Sequence, residues 1–130
     1  MSIEKDIFAS CRTIAIVGLS SNPARASYGV AEYFQSQGYR IIPVNPNETE
    51  VLGEKAYPDL RSIPERVDLV NVFRRPEHVP EIVDEAIAIG ARALWLQQGI
   101  THPEAEAKAR AAGLLVVSDA CMMVMHRLYR

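Results

Sequence analysis

Short apolar runs alternate along the chain with longer amphipathic stretches. Thr13-Ile14-Ala15-Ile16-Val17 is nearly continuous in aliphatic and β-branched residues, as expected of a strand buried on both faces. Val30, Tyr33, Phe34 and Gln37 then recur at helical spacing, which predicts a helix from Ser27 to Gln37 with Gly38 as its stop. Tyr39 to Val44 reads as a second strand. Pro58 and Pro64 break the stretch from Asn47 to Arg66 into loop and short helical pieces, with a turn at Tyr57-Pro58-Asp59-Leu60. Leu69 to Phe73 is a third strand, Glu77 to Ile89 a helix with Pro80 in its first turn, and Ala93 to Leu96 a fourth strand. Pro103 to Ala112 forms a third helix stopped by Gly113. Leu114 to Val117 is a fifth strand, and residues 119–130 end in a short helix or turn.

Strand, helix, strand in repetition predicts an α/β fold: a Rossmann-like, doubly wound parallel sheet of five strands with both faces covered. Right-handed crossovers favour, counting strands along the chain, the order 3-2-1-4-5. Ligands of such sheets lie beyond the carboxyl ends of the strands, where the order reverses. In that order the crevice falls between strands 1 and 4. It gathers Gly18-Leu19-Ser20-Ser21-Asn22-Pro23 from one side and Gln97-Gln98-Gly99-Ile100 from the other. Asn45-Pro46 and Phe73-Arg74-Arg75-Pro76 flank them.

Composition narrows the setting. The 130 residues suit one domain, and no repeat or low-complexity linker divides them. A hydrophobic share of 48%, a charged share of 23% and a formal charge of -2 are ordinary for a soluble protein and offer nucleic acid no basic surface. No apolar run reaches the roughly 18 residues of a membrane span, and the acidic start Met1-Ser2-Ile3-Glu4-Lys5-Asp6 is no signal peptide. Cys11 and Cys121 lack metal or redox spacing, so a reduced, cytoplasmic setting without a metal site is expected. A homodimer or a protein partner is left open.

The first turn carries the most chemistry. Gly18 lets the chain leave the strand tightly, Ser20 and Ser21 supply hydroxyls, and the free N–H groups of a following helix start can face a phosphate. Gly29 inside that helix implies close approach of the helix to the sheet or to a ligand. The dinucleotide fingerprint G-x-G-x-x-G is absent, because Ser20 and Pro23 stand at its second and third glycines. Strand 2 ends in Val44-Asn45-Pro46, without the acid that holds a ribose hydroxyl. Arg74 and Arg75 can meet phosphate oxygens. His78 and His102 stand near helix starts and read as capping or surface residues, and Asp119 as the cap of the turn after strand 5. Trp95 and the methionines Met122, Met123 and Met125 read as core or interface.

Taken in order, several segments resemble one family. They are Ile14 to Pro23, Gly38 to Pro46, Asp68 to Arg74, Leu94 to Ile100 and Val117 to Met122. The chain resembles the small CoA-binding proteins of bacteria and archaea, which are themselves similar to the N-terminal CoA-binding domain of the succinyl-CoA synthetase α subunit. The resemblance implies coenzyme A or an acyl-CoA as ligand, its phosphates on the turn Gly18 to Pro23 and its nucleotide beside Pro43 to Pro46. Phe73-Arg74 and Gln98-Gly99 would line the rest of the path. The implied ligand residues are Gly18, Leu19, Ser20, Ser21, Pro23, Tyr28, Gly29, Asn45, Pro46, Phe73, Arg74, Arg75, Gln98 and Gly99. The synthetase works through a further domain with a phosphorylated histidine, which finds no match in these residues, so the resemblance implies binding without catalysis. The competing expectation is an enzyme that uses NAD(P) or an acyl-CoA, with Cys121 or His102 as its reactive group. A third is a scaffold that has lost its ligand.

Overall fold

Unalternated runs of Ile, Val and Leu require cover on both faces, and the chain meets that requirement by laying them side by side. The computed structural model describes residues 2–130. Its strands are β1 (Thr13–Val17), β2 (Arg40–Val44), β3 (Glu50–Val51), β4 (Glu54–Lys55), β5 (Leu69–Val72), β6 (Ala93–Leu96) and β7 (Leu115–Val117). Its helices are α1 (Ile3–Ser10), α2 (Ala26–Ser36), α3 (Val79–Ala88), α4 (Pro103–Ala111) and α5 (Met122–Tyr129), with 3-10 turns at Leu60–Ser62 and Pro76–His78. The main sheet is parallel throughout, in the order β2-β1-β5-β6-β7. The expected strands and helices form within a residue or two of their expected bounds. Helix α1 had no counterpart in the sequence reading, nor did the β3–β4 hairpin in the proline-broken stretch.

The Rossmann-like, doubly wound class holds, but the strand order does not. Counting only the five strands of the main sheet, it is 2-1-3-4-5, where 3-2-1-4-5 was expected. The reason lies in the connection after β2. Helix α2 packs Val30, Ala31 and Phe34 on the face formed by Ile14, Ile16 and Trp95. Leu60 and Val67 of the following connection instead join the opposite face, with Ala15, Val17, Val70 and Leu94. A right-handed crossover on the opposite face must travel in the opposite direction. The chain therefore passes back over β1 and lays β5 on its far side. The switch point moves with it, from between β1 and β6 to between β1 and β5.

Two core layers result. Ile7, Phe34, Trp95 and Met122 lie in the layer under α1, α2 and α5. Val79, Ile82 and Val83 of α3 and Ala105 and Ala109 of α4 close the other. Trp95 is wholly buried and donates from Nε1 to the Ala120 carbonyl at 2.9 Å, which ties the last turn of chain to the sheet. Pro43 is tolerated because β2 is an edge strand, and the bridge from Val44 to Tyr57 covers part of that edge. Arg40 holds the hairpin region to the start of β2 through Glu54 and Glu65.

At the amino ends of the strands Asp68 acts as a staple. Its Oδ2 accepts the N–H groups of Arg12 at 2.9 Å and Thr13 at 3.0 Å, while its own carbonyl accepts those of Arg92 and Ala93. Asp68→Ala leaves two amides at the start of β1 without their acceptor. Urea unfolding should show a loss of about 1–3 kcal/mol; an unchanged midpoint would mean that water replaces the carboxylate at no cost.

Candidate functional site

Where β1 and β5 end, the two segments leave the sheet in contact. Gly18 N donates to the Val44 carbonyl and Phe73 N to that of Val17, both at 2.8 Å. Gly18 has φ +89, and a Cβ built on it would stand 2.5 Å from the Phe73 carbonyl oxygen and 3.1 Å from Arg74 Cδ. The glycine is thus required by the backbone crossing itself, before any ligand is considered.

The turn beyond Gly18 is cross-linked by its own side chains. Ser27 Oγ accepts Ser20 N, Ser20 Oγ accepts Asn22 N, and Asn22 Oδ1 accepts Ala24 N, all within 2.9–3.1 Å. Asn45 Nδ2 donates to the Leu19 carbonyl at 3.1 Å and ties the turn to the end of β2. What remains open is the start of α2, where the amides of Ala26 and Ser27 have no acceptor among the described residues. A groove of about 370 Å³ opens there, lined by Gly18, Ser20, Arg25, Ala26, Ser27, Asn45 and Phe73. It combines free amides, the positive end of a helix and one guanidinium, the features that hold a phosphate.

A second groove of about 500 Å³ shares Ala26 and Phe73 with the first and runs on past Val30, Arg74, Arg75, Gln97, Gln98 and Ile100 to Cys121. Its interior is mostly apolar, with arginines at one side. Beneath it lies a buried polar chain: Gln97 Nε2 donates to Asn71 Oδ1 at 2.6 Å, and Asn71 Nδ2 has no partner among the described residues. A hollow of similar size opens on the α3 side, but Asp59, Glu81, Asp84 and Glu85 outnumber its Arg61 and Arg74. Burial, reinforced by Asp59, pushes the Glu85 carboxyl up. Such a surplus of carboxylates suits a polyanion poorly, so the two joined grooves are the better site.

The structure brings Gly18, Ser20, Asn45 and Phe73 into one groove and Arg74, Arg75 and Gln98 into the adjoining one. Pro46 lines the acidic hollow. Leu19 is wholly buried, so only its backbone is available, and Ser21, Pro23, Tyr28, Gly29 and Gly99 line neither groove. Close approach of the helix to the sheet does not explain Gly29, because a Cβ there meets no protein atom within 4 Å. Asp119 does not cap the turn that follows it; its Oδ1 accepts Gly99 N at 2.7 Å and steadies the loop after β6. His102 caps α4, its Nδ1 accepting Ala105 N at 3.2 Å, and it lines neither groove.

Arg25, Ser27 and Glu48 were missed. Arg25 could have been found, as the only cation between Gly18 and the helix it precedes. Glu48 gave no signal. A tight turn, with Asn45 Oδ1 accepting Asn47 N, carries it back to the first turn, where its carboxylate accepts Ser21 N at 2.9 Å. No acid ends β2, yet a carboxylate does reach the turn from the loop beyond.

These features define a doubly wound α/β domain with two joined grooves at its switch point. The family of the CoA binding domain matches residues 12–127, and the chain belongs to that family. It is 42% identical over 122 residues to the uncharacterized protein YneT of Bacillus subtilis, across 94% of this chain and 90% of that protein. A hypothetical protein from Pyrococcus horikoshii superposes with a TM-score of 0.95 at 37% identity, over 99% of this chain and 92% of that one. The alpha subunit of the ADP-forming acetate–CoA ligase II of Pyrococcus furiosus is 28% identical over 132 residues. That match takes in 93% of this chain but only 29% of the subunit's length. Among the described residues no helix is long and apolar enough to cross a membrane.

Gly18→Ala tests the crossing independently of any ligand. Strain at φ +89 and the clash with the Phe73 carbonyl should lower stability by about 1–3 kcal/mol in urea unfolding. A variant as stable as the wild type would show that the two turns part freely.

Proposed function

We propose that the domain binds coenzyme A or an acyl-CoA in the two joined grooves and works as a binding module, leaving chemistry to another protein. The observation that carries this reading is the continuity of a phosphate-type groove with a mostly apolar one. CoA has that division itself, a phosphorylated nucleotide followed by a long pantetheine arm. The Ala26 and Ser27 amides and Arg25 would receive the diphosphate, with Gly18, Leu19, Ser20, Ser21 and Pro23 forming the turn and Asn45 and Pro46 beside the nucleotide. Phe73, Gln98 and Gly99 would border the arm, whose thiol end would run toward Cys121, while Arg74 and Arg75 would reach phosphate oxygens from where the two grooves join. Tyr28 and Gly29 would act through the helix that carries them. The relatives that are acetate–CoA ligases are far longer than this chain, and their reaction is not carried over with the domain. A cytoplasmic setting suits such a ligand.

Glu48 favours the runner-up in part, because an acid at the first turn is what a ribose hydroxyl would need. Calorimetry with CoA, dephospho-CoA and NAD separates the readings. CoA should give saturable heat and NAD none; heat with NAD alone would sink the proposal. Arg25→Gln and Arg74→Ala should each weaken CoA by about tenfold, through loss of a charge-assisted bond to phosphate. The variant that has lost the arginine at the 3′-phosphate will bind CoA and dephospho-CoA alike.

Glu48→Gln has the opposite sign. It removes a negative charge that competes with the ligand for the turn, so CoA should bind roughly threefold tighter or more at low salt. Weaker binding would instead identify Glu48 as a ligand-holding group.

A further inference from the structure

At the opposite end of the sheet, before the strands begin, lies a cavity of about 470 Å³ that the switch-point grooves do not reach. Arg12 and Tyr39, which precede β1 and β2, line it, so the length of β1, roughly 16 Å, separates it from Gly18. Lys5 from α1 and Arg130 from beyond α5 complete a set of three cations, and no aspartate or glutamate lines the cavity. None of the three forms an ion pair among the described residues. Lys5 Nζ lies 5.6 Å from the centre of the Tyr129 ring and the Arg12 guanidinium 5.6 Å from that of Tyr39, so aromatic faces steady the charges at the rim.

The wall of this cavity contains a buried histidine. His126 is only 7% exposed, packed edge-on against Phe8 and flanked by Phe34 and Tyr39. Its Nδ1 meets Tyr33 Oη at 2.7 Å, and Nε2 has no partner among the described residues. Tyr33 is not part of the cavity wall whereas His126 is, and with Nδ1 engaged by Tyr33, Nε2 is the ring nitrogen left for a ligand there. When Tyr33 donates to Nδ1, the neutral ring carries its proton on Nε2 and offers a donor where the three cations converge.

We propose that this cavity is a second ligand site and that it takes a small organic phosphate. Lys5, Arg12 and Arg130 engage the phosphate oxygens as charge-assisted donors, and His126 Nε2 donates from the wall. Phe8 and Ala9 offer apolar surface to the body of the ester, and the volume exceeds what bare phosphate fills. The site is independent of the CoA reading, since it shares no residue with those grooves.

Burial and the nearby Arg130 hold the His126 ring below its usual range. The groups that face it are Lys5 from α1, Arg12 ahead of β1, Tyr33 from α2, Tyr39 ahead of β2, and Tyr129 and Arg130 at the end of α5. A dianion set against Nε2 stabilises the imidazolium, so the ring should titrate at higher pH when the ligand is bound, and by linkage the dianion binds the protonated ring more tightly than the neutral one.

The test uses phenyl phosphate, inorganic phosphate and phenol as probes, with the His126 ring protons followed by NMR across pH. Phenyl phosphate should bind saturably, raise the His126 titration and bind more tightly than inorganic phosphate, and phenol should do nothing. The double variant Lys5→Gln/Arg12→Gln, at two exposed positions, should weaken phenyl phosphate by about tenfold or more and cancel the effect on His126. Arg25→Gln at the first turn should leave both intact. An unmoved His126 titration, or equal affinity in the double variant, would overturn the site. Inorganic phosphate binding as tightly as phenyl phosphate would overturn its assignment to an ester.

Discussion

The right-handedness of parallel crossovers, applied to one connection, decides most of what this domain can do. Between β2 and β5 the chain changes faces, and the hand of the crossover then obliges it to pass back over β1. Phe73 and Arg74 consequently leave the sheet beside Gly18. Had the connection stayed on the face of α2, β5 would have extended the sheet beyond β2, and the turn after β1 would have faced Gln97 and Gln98. The close approach at Gly18, the join between the two grooves and the place of both arginines all follow from that single reversal.

Within the turn, hydrogen-bond accounting matters as much as position. Serine and asparagine side chains consume the amides of Ser20, Asn22 and Ala24, and Glu48 takes that of Ser21. The turn is therefore built rigidly in advance, and those amides are spent in building it. Binding capacity passes to the two open amides of α2 and to Arg25. A glycine-rich loop offers a flexible cradle of backbone; this one offers a stiff edge and a helix end.

The two ends of the sheet are chemically distinct for a related reason. In parallel strands all carboxyl ends share one edge and all amino ends the other, so any asymmetry between the preceding and following turns is summed across the sheet. At the carboxyl edge the following turns carry glycines, serines and amides. At the amino edge the helices α1 and α5 meet and bring Lys5 and Arg130 to Arg12, around a histidine packed in aromatic rings. Asn71 and Gln97, buried between these regimes, are bonded to each other, with Asn71 Nδ2 left without a partner among the described residues.

From the sequence alone, the strand runs at Thr13, Leu69 and Ala93 and the helix periodicity from Val30 were legible, because burial on both faces or on one stripe leaves a local signature. So was the importance of Gly18, and so was the family, through segments that recur in order. The strand order was not legible. It depends on which face Leu60 and Val67 cover, and a stretch broken by Pro58 and Pro64 carries no periodicity to reveal that. Glu48 and His126 were hidden for the same reason: the first acts on a turn 27 residues away, the second on Tyr33 at a distance of 93 residues. Patterns of burial are written into neighbouring residues, whereas the partners of a carboxylate or an imidazole are chosen only when the chain has folded back on itself.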